Sequence, residues 1–155
     1  MMAENAAVLC RRAWSGDVGE VSRLLRAAAL PTEGVDETLM PGTSVLVRDG
    51  AIVGCASVEV HGHTGLLRSV VVSPEMRGRQ RGRALVRGRI EWAREQGLEN
   101  LVLFTETAAG FFERLGFRPV PREELPPVVR GCFEYGFCPT TSTSMRLDLR
   151  PGRTS

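Results

Sequence analysis

Arg77, Gly78, Arg79, Gln80, Arg81, Gly82 and Arg83 lie between a β-branched run, Val70-Val71-Val72, and an amphipathic run that reads to Gln96. Val70–Val72 reads as a largely buried strand, Pro74 ends regular pairing, and Gly78 and Gly82 let the backbone come close to a ligand. A turn of that composition presents N–H groups rather than side-chain bulk. Placed at a helix N-terminus, where the first amides lack helical partners and the dipole is positive, it makes a concave nest for an anion with two or more phosphate oxygens. Arg79, Arg83, Arg87 and Arg94 equally suit a solvated helix face, and the farther two lie beyond the first helical turn. Leu85, Val86, Ile90, Trp92 and Ala93, three, four or seven residues apart, are the apolar side of that helix.

Two familiar glycine-rich phosphate motifs are excluded by spelling. The Walker A pattern needs a lysine and the chain has none, and the dinucleotide pattern Gly-x-Gly-x-x-Gly is missing. The stretch does resemble the GNAT superfamily of acetyl-CoA-dependent N-acetyltransferases, whose signature is Arg/Gln-x-x-Gly-x-Gly/Ala after a strand ending Val-x-Pro. Arg77 and Gly82 fit, whereas Gln80 stands where the first motif glycine is usual; a positive φ there strains a glutamine. Further stretches, LFTETAAGFFERLGFRPV, ELPPVVR and CPTTSTSMRL, resemble the arsenic-resistance acetyltransferase branch, itself similar to amino-acid N-acetyltransferases. The resemblance covers about residues 8–149.

The resemblance implies an α/β (α+β) fold, an acyl-CoA N-acyltransferase with a mixed, mostly antiparallel central sheet, flanking helices and two splayed strands. Acetyl-CoA would then lie along Val70, Val71 and Val72, with its pyrophosphate on Arg77–Arg83 and Thr107, Ala108 and Phe111 near it. A backbone N–H of the first strand could polarise the thioester. Many members have a tyrosine acid where Phe112 stands, and phenylalanine cannot give a proton. Amine attack needs a base: Glu59, which interrupts an apolar strand, is preferred and Glu106 is the alternative. For an amino-acid acceptor, Arg68 and Arg130 are the carboxylate partners, with Ser69, Thr105 and Thr107 as hydroxyl neighbours. Arg68 reads equally well as a sheet-surface charge. Two arginines would suit a second anion, as in glutamate or a phosphinic or arsinic analogue. The alternative is a non-catalytic acyl-CoA-binding or regulatory module.

The elements that position these residues follow from pattern. Val8–Ala13 reads as a strand, Ser15-Gly16-Asp17 as a turn or cap, and Val18–Ala29 as a helix with Val21, Leu24, Leu25 and Ala28 inward. Thr32–Gly42 is a loop or broken helix that, by resemblance, closes over the acceptor. Thr43–Arg48 and Ala51–Val60 are strands joined at Asp49-Gly50, and His61–Gly65 turns into a strand over Leu66–Val72. His61 and His63 read as solvent-facing turn residues rather than metal ligands. Gly97 caps the central helix before the strand Asn100–Thr105, and a right-handed crossover makes that strand parallel to Leu66–Val72. Thr107 can cap a helix over Thr107–Leu115, prolines punctuate Arg118–Val129, Arg130–Cys138 is a loop, and Ser142–Leu149 is the last strand.

Whole-chain properties fit one domain over 8–150 with tails at 1–7 and 151–155. A chain of 155 residues buries about two thirds of its unfolded surface, enough for one core. Formal net charge is +2 and aromatic content 6%, which argues against a general nucleic-acid binder. Cys10, Cys55, Cys132 and Cys138 are dispersed, favouring free thiols in a reducing cytoplasm over zinc or a disulfide frame. Neither a secretory leader nor a span of transmembrane length is read, and a homodimer is left open.

Overall fold

The computed structural model describes residues 7–78, 80–131 and 142–149. Seven strands, β1 (Val8–Arg12), β2 (Thr43–Arg48), β3 (Ala51–His61), β4 (Thr64–Val72), β5 (Asn100–Thr105), β6 (Arg118–Pro119) and β7 (Thr143–Asp148), are hydrogen-bonded in the order β1-β2-β3-β4-β5-β7-β6. Helices α1 (Val18–Ala27), α2 (Arg81–Glu95) and α3 (Ala109–Glu113) accompany them. The sheet is mixed and mostly antiparallel. β1 with β2, β2 with β3, β5 with β7 and β6 with β7 run antiparallel, while β4 and β5 run parallel, as a strand–helix–strand crossover requires. The described residues divide into two compact units, one within Met1–Val58 plus Arg68–Arg89 and the other within Glu59–Leu67 plus Ile90–Ser155.

In the first unit the β2–β3 hairpin closes on two residues, Asp49 and Gly50, at φ +51° and +80°. Both values are positive, as a primed turn needs for its twist to match that of the strands. Helix α1 buries Val21 and Leu25, four residues apart, completely, and leaves Arg23 and Arg26 exposed. They join Ala13, Val45, Ile52, Cys55 and Val71 in one core. The Thr32–Gly42 segment is a loop ending in a 3-10 turn, and it enters the same core through Val35, Leu39 and Met40. Ser15–Asp17 forms a 3-10 turn in which the buried Asp17 accepts two bonds from Arg11, at 2.8 and 3.1 Å, and one from the Trp14 amide at 2.9 Å. The Arg11 hydrogen bond, above all, holds the Asp17 carboxyl below its ordinary range.

In the second unit Thr64, Gly65 and Leu66 of β4 pair with Asn100, Leu101 and Val102 of β5. Strand β5 pairs along its whole length with β7. Leu66, Val102, Val120, Leu125 and Val129 form a core against which Phe104 packs. Each such side chain contributes about 1.5–3 kcal/mol by leaving water.

Candidate functional site

Strand β4 stops at Val72, and Pro74–Met76 makes a single 3-10 turn that tucks Met76 into the first unit. The Ser73 amide donates to the Val53 carbonyl at 2.8 Å, and Arg77 Nε donates back to the Val72 carbonyl at 3.1 Å. Gly78 has φ +83° and open space where a Cβ would stand, so its backbone conformation, not crowding, selects glycine. Gln80 has φ +61°, the left-handed conformation that its place in the motif demands, and its carbonyl accepts from the Ala84 amide at 3.1 Å to open α2. Arg81, Gly82 and Arg83 form the first turn of α2, where amides have no helical acceptor. Arg79 lies outside the described residues.

Two buried polar atoms, Ser73 Oγ and Arg81 Nη1, flank this turn with no hydrogen-bond partner among the described residues. Leaving such groups unpaired is costly, and a phosphate-rich ligand is the chemistry that a hydroxyl, a guanidinium and free first-turn amides share. The Leu85 and Val86 side of α2 fixes the turn, both residues being fully buried. Val70 and Val72 pack on a cluster containing Leu85, Leu46 and Ala56, while Val71 points into the other core. The three valines thus use both faces of the strand. Sequence reasoning missed that α2 also buries Arg89, at 7% exposure, because a basic residue on a helix ordinarily reads as solvated.

Just before these valines the strand is irregular. Ser69 has φ +58°, its carbonyl accepts from Cys55 Sγ at 3.2 Å, and burial pushes the Cys55 thiol up to about 12. Arg68 is 4% exposed; Nε donates to Ser69 Oγ at 3.2 Å and Nη2 donates to the Glu33 carbonyl. The fork that sequence reading offers to an acceptor carboxylate is therefore engaged with the Thr32–Gly42 loop.

In the second unit the other candidates occupy β3, β5 and their ends. Glu59 Oε2 lies 3.0 Å from His61 Nε2, both half-buried, two residues apart on one face of β3. His61 is thus a strand-end residue with a carboxylate partner, not a solvent-facing turn residue; β3 runs one residue beyond the expected Val60. Exposed His63 is the turn residue, and no group of three metal-ligating side chains occurs among the described residues. Glu106 and Thr107 are exposed on the turn after β5. Thr107 does not cap α3; Thr105 Oγ1 accepts from the Ala108 amide at 3.0 Å, and α3 starts two residues later than its pattern suggests. Phe112 is buried, edge-on to Phe111 at 5.0 Å and to Phe117 at 5.7 Å, and Phe111 is half-buried. Arg130 falls in the Pro127–Gly131 turn, but its side chain lies outside the described residues, as do residues 132–141 with Cys132 and Cys138.

Comparison with known proteins places this arrangement. The chain is 28% identical over 135 residues to an amino-acid acetyltransferase of Salmonella typhi, covering 81% of this chain and 30% of that protein. It is 37% identical over 95 residues to an amino-acid acetyltransferase of Pseudomonas fluorescens, covering 59% of this chain and 22% of that one. The chain spans about a third or less of the length of these curated relatives. N-acetylglutamate synthase of Neisseria gonorrhoeae, solved with coenzyme A and N-acetyl-glutamate, superposes with a TM-score of 0.79 at 24% identity over 93% of this chain and 35% of its own. A Mycobacterium tuberculosis protein solved with CoA superposes with a TM-score of 0.75 at 22% identity, over 91% of this chain and 99% of its own. The acetyltransferase (GNAT) domain matches residues 41–119, more than half of the chain, from the approach to β2 through β6, and the chain belongs to that family.

Proposed function

We propose that this chain is an acetyl-CoA-dependent N-acetyltransferase, one domain over 8–150, that acetylates the primary amine of a small amino-acid-like acceptor. The observation that carries the reading is the turn from Ser73 to Arg83. Its left-handed Gly78 and Gln80, its free first-turn amides and the unpartnered Ser73 Oγ and Arg81 Nη1 fit a pyrophosphate, in a chain belonging to the GNAT family. Relatives that are amino-acid acetyltransferases, and a synthase solved with coenzyme A and N-acetyl-glutamate, support the donor and the acceptor class.

Bound acetyl-CoA supplies an activated acyl group. On the protein's side, main-chain groups of Val70–Val72 hold the donor beyond the last β4–β5 pair, Leu66–Val102. Thr107, Ala108 and Phe111 are the further residues that the family resemblance assigns to the donor. Glu59, backed by His61, takes one proton from the bound ammonium so that the neutral amine attacks, and the second proton leaves the nitrogen to water as the amide forms; Glu106 is the other carboxylate suited to the first task. A nitrogen–carbon bond forms, the carbon–sulfur bond breaks, and the thiol product takes a proton from water, since Phe112 offers none. Arg130 and Thr105 are the partners of the acceptor carboxylate. The finer reading, a glutamate analogue such as a phosphinic or arsinic amino acid in detoxification, rests on the stretches that resemble the arsenic-resistance branch.

The test follows free CoA while acetyl-CoA is offered with glutamate, aspartate, their phosphinic and arsinic analogues, polyamines, aminoglycosides and hydrophobic amines. Turnover of amino-acid-like acceptors is the expected result. Binding of acetyl-CoA with no turnover of any amine points to the second reading, a non-catalytic acyl-CoA-binding module, which the buried, proton-free Phe112 favours. Efficient turnover of polyamines alone overturns the acceptor class.

A further inference from the structure

We propose that Arg68 is a positioning residue for the acceptor, a latch that joins the β4 backbone at Ser69 to the Thr32–Gly42 loop and so sets the shape of the acceptor side. The inference rests on the reading above in one respect, that this loop borders the acceptor. The latch itself stands on contacts within the first unit. Arg68 is a cation at 4% exposure, and a planar guanidinium so far from water is stable only when its donors are aimed at fixed acceptors. Its Nε holds the Ser69 hydroxyl and its Nη2 holds the carbonyl of Glu33, 35 residues away in sequence.

Gly34 supplies an independent observation. Its φ is +81°, and a Cβ built there would stand 2.8 Å from Arg68 Nη1. The loop backbone therefore lies directly against the guanidinium, and a side chain at position 34 would push the guanidinium from its present place. Asp36 contributes from the same loop. Its carboxyl is held below the ordinary range first by the Thr38 hydroxyl and, more weakly, by the field of Arg68. At the other end of the loop the anchors are apolar, Leu39 and Met40 being 4% and 1% exposed. Val35, at 8% exposure, anchors the middle of the loop in the same apolar core, so loss of the latch should loosen chiefly the end near Glu33.

The partner end of the latch is equally specific. Ser69 sits at φ +58° in the middle of a strand, a conformation that persists only where its surroundings determine it. Arg68 Nε fixes its side chain and Cys55 Sγ its carbonyl. A shift of Arg68 would therefore be felt on the strand as well as on the loop.

The experiment compares Arg68→Met, Arg68→Lys, Gly34→Ala and the Arg68→Met/Gly34→Ala double variant by hydrogen exchange and steady-state kinetics. In the free protein, amides of 31–36 should exchange about tenfold faster in Arg68→Met, while those of 39–48 stay as in the parent. Gly34→Ala, a loop change outside the core, should reproduce that pattern, and the double variant should exceed neither single by more than about twofold. Arg23→Ala, on the exposed side of α1, serves as the control. For acetyl transfer, KM for the acceptor should rise by about tenfold or more for acidic and neutral acceptors alike, with acetyl-CoA affinity unchanged and little rescue by lysine, which lacks the fork. Unchanged exchange at 31–36 in both single variants overturns the latch. A loss confined to acidic acceptors and partly restored by Arg68→Lys also overturns it, because that is the signature of direct carboxylate binding. If the parent protein acetylates no amine, the functional reading fails while the exchange measurements still decide the latch.

Discussion

Replacing Gln80 with glycine removes a side chain from a position where the fold needs φ near +61°. A left-handed residue with a Cβ costs roughly 1–2 kcal/mol over the right-handed form, and glutamine lacks the short side chain with which asparagine offsets it. Against that gain, glycine makes the unfolded chain more flexible, a cost of about 0.5–1 kcal/mol. The Gln80 carbonyl bond to the Ala84 amide is main chain and survives the change. The net expectation is stabilisation by about 0.5–1 kcal/mol, which at about 2–4 °C per kcal/mol for a chain of this size raises Tm by about 1–4 °C. Thermal melts of the two proteins in the same buffer measure it, and titration with acetyl-CoA should show affinity unchanged or improved. A fall in Tm of similar size would refute the reasoning, since the glutamine side chain would then be making a contact worth more than the strain it brings. Gln80→Val carries the opposite sign, because a β-branched residue tolerates this backbone worst.

Asp17→Asn should lower stability by about 1–2 kcal/mol in urea at pH 7, through the loss of charge-assisted bonds from Arg11 and the Trp14 amide. The native carboxyl is held below its ordinary value of 3.8, so its contribution is present in full above that value and declines as pH falls through the lowered native one; the variant should show no such decline from this site. Iodoacetamide at pH 7 should label exposed Cys10 and spare buried Cys55, whose thiol at about 12 leaves roughly one thiolate in 10⁵. Peptide mapping that finds both labelled at one rate contradicts the burial of Cys55. Phe112→Tyr should cost about 1–3 kcal/mol in a denaturant titration without raising kcat, because the hydroxyl is added to a ring that is 7% exposed and packed edge-on to Phe111 and Phe117. A stable variant with higher kcat would show that position 112 reaches the reacting sulfur.

Local chemistry made much of the fold readable. Asp49-Gly50 specifies a two-residue primed turn wherever two alternating runs flank it, and the strands around it end where that turn dictates. Gly97, at φ +80°, stops α2, and the chirality of the crossover then leaves β5 one direction beside β4. The misreadings have a common cause. Arg68 reads as well as a surface charge because its own neighbours say nothing about burial; the deciding partner is a carbonyl 35 residues upstream. Thr107 and Thr105 are both well spelled for a cap, and only the path of the chain leaving β5 selects Thr105. His61 reads as a turn residue because β3 continues one residue past its apolar pattern, held there by a carboxylate two residues back.

The two sides of the proposed site differ in legibility for the same reason. An anion cradle is made of main-chain amides, so its blueprint is the order of proline, glycine and helix start between Ser73 and Arg83, all contained in one short stretch. An acceptor pocket is made of side chains delivered by separate segments, and the proposed latch, where Arg68, Gly34 and Glu33 meet, is recorded by no single stretch. Substitutions in the cradle should therefore alter donor affinity equally for every acceptor. Substitutions at the latch should leave donor affinity intact and raise KM for acidic and neutral acceptors alike, so donor titrations and acceptor kinetics on the same variants separate the two halves of the site.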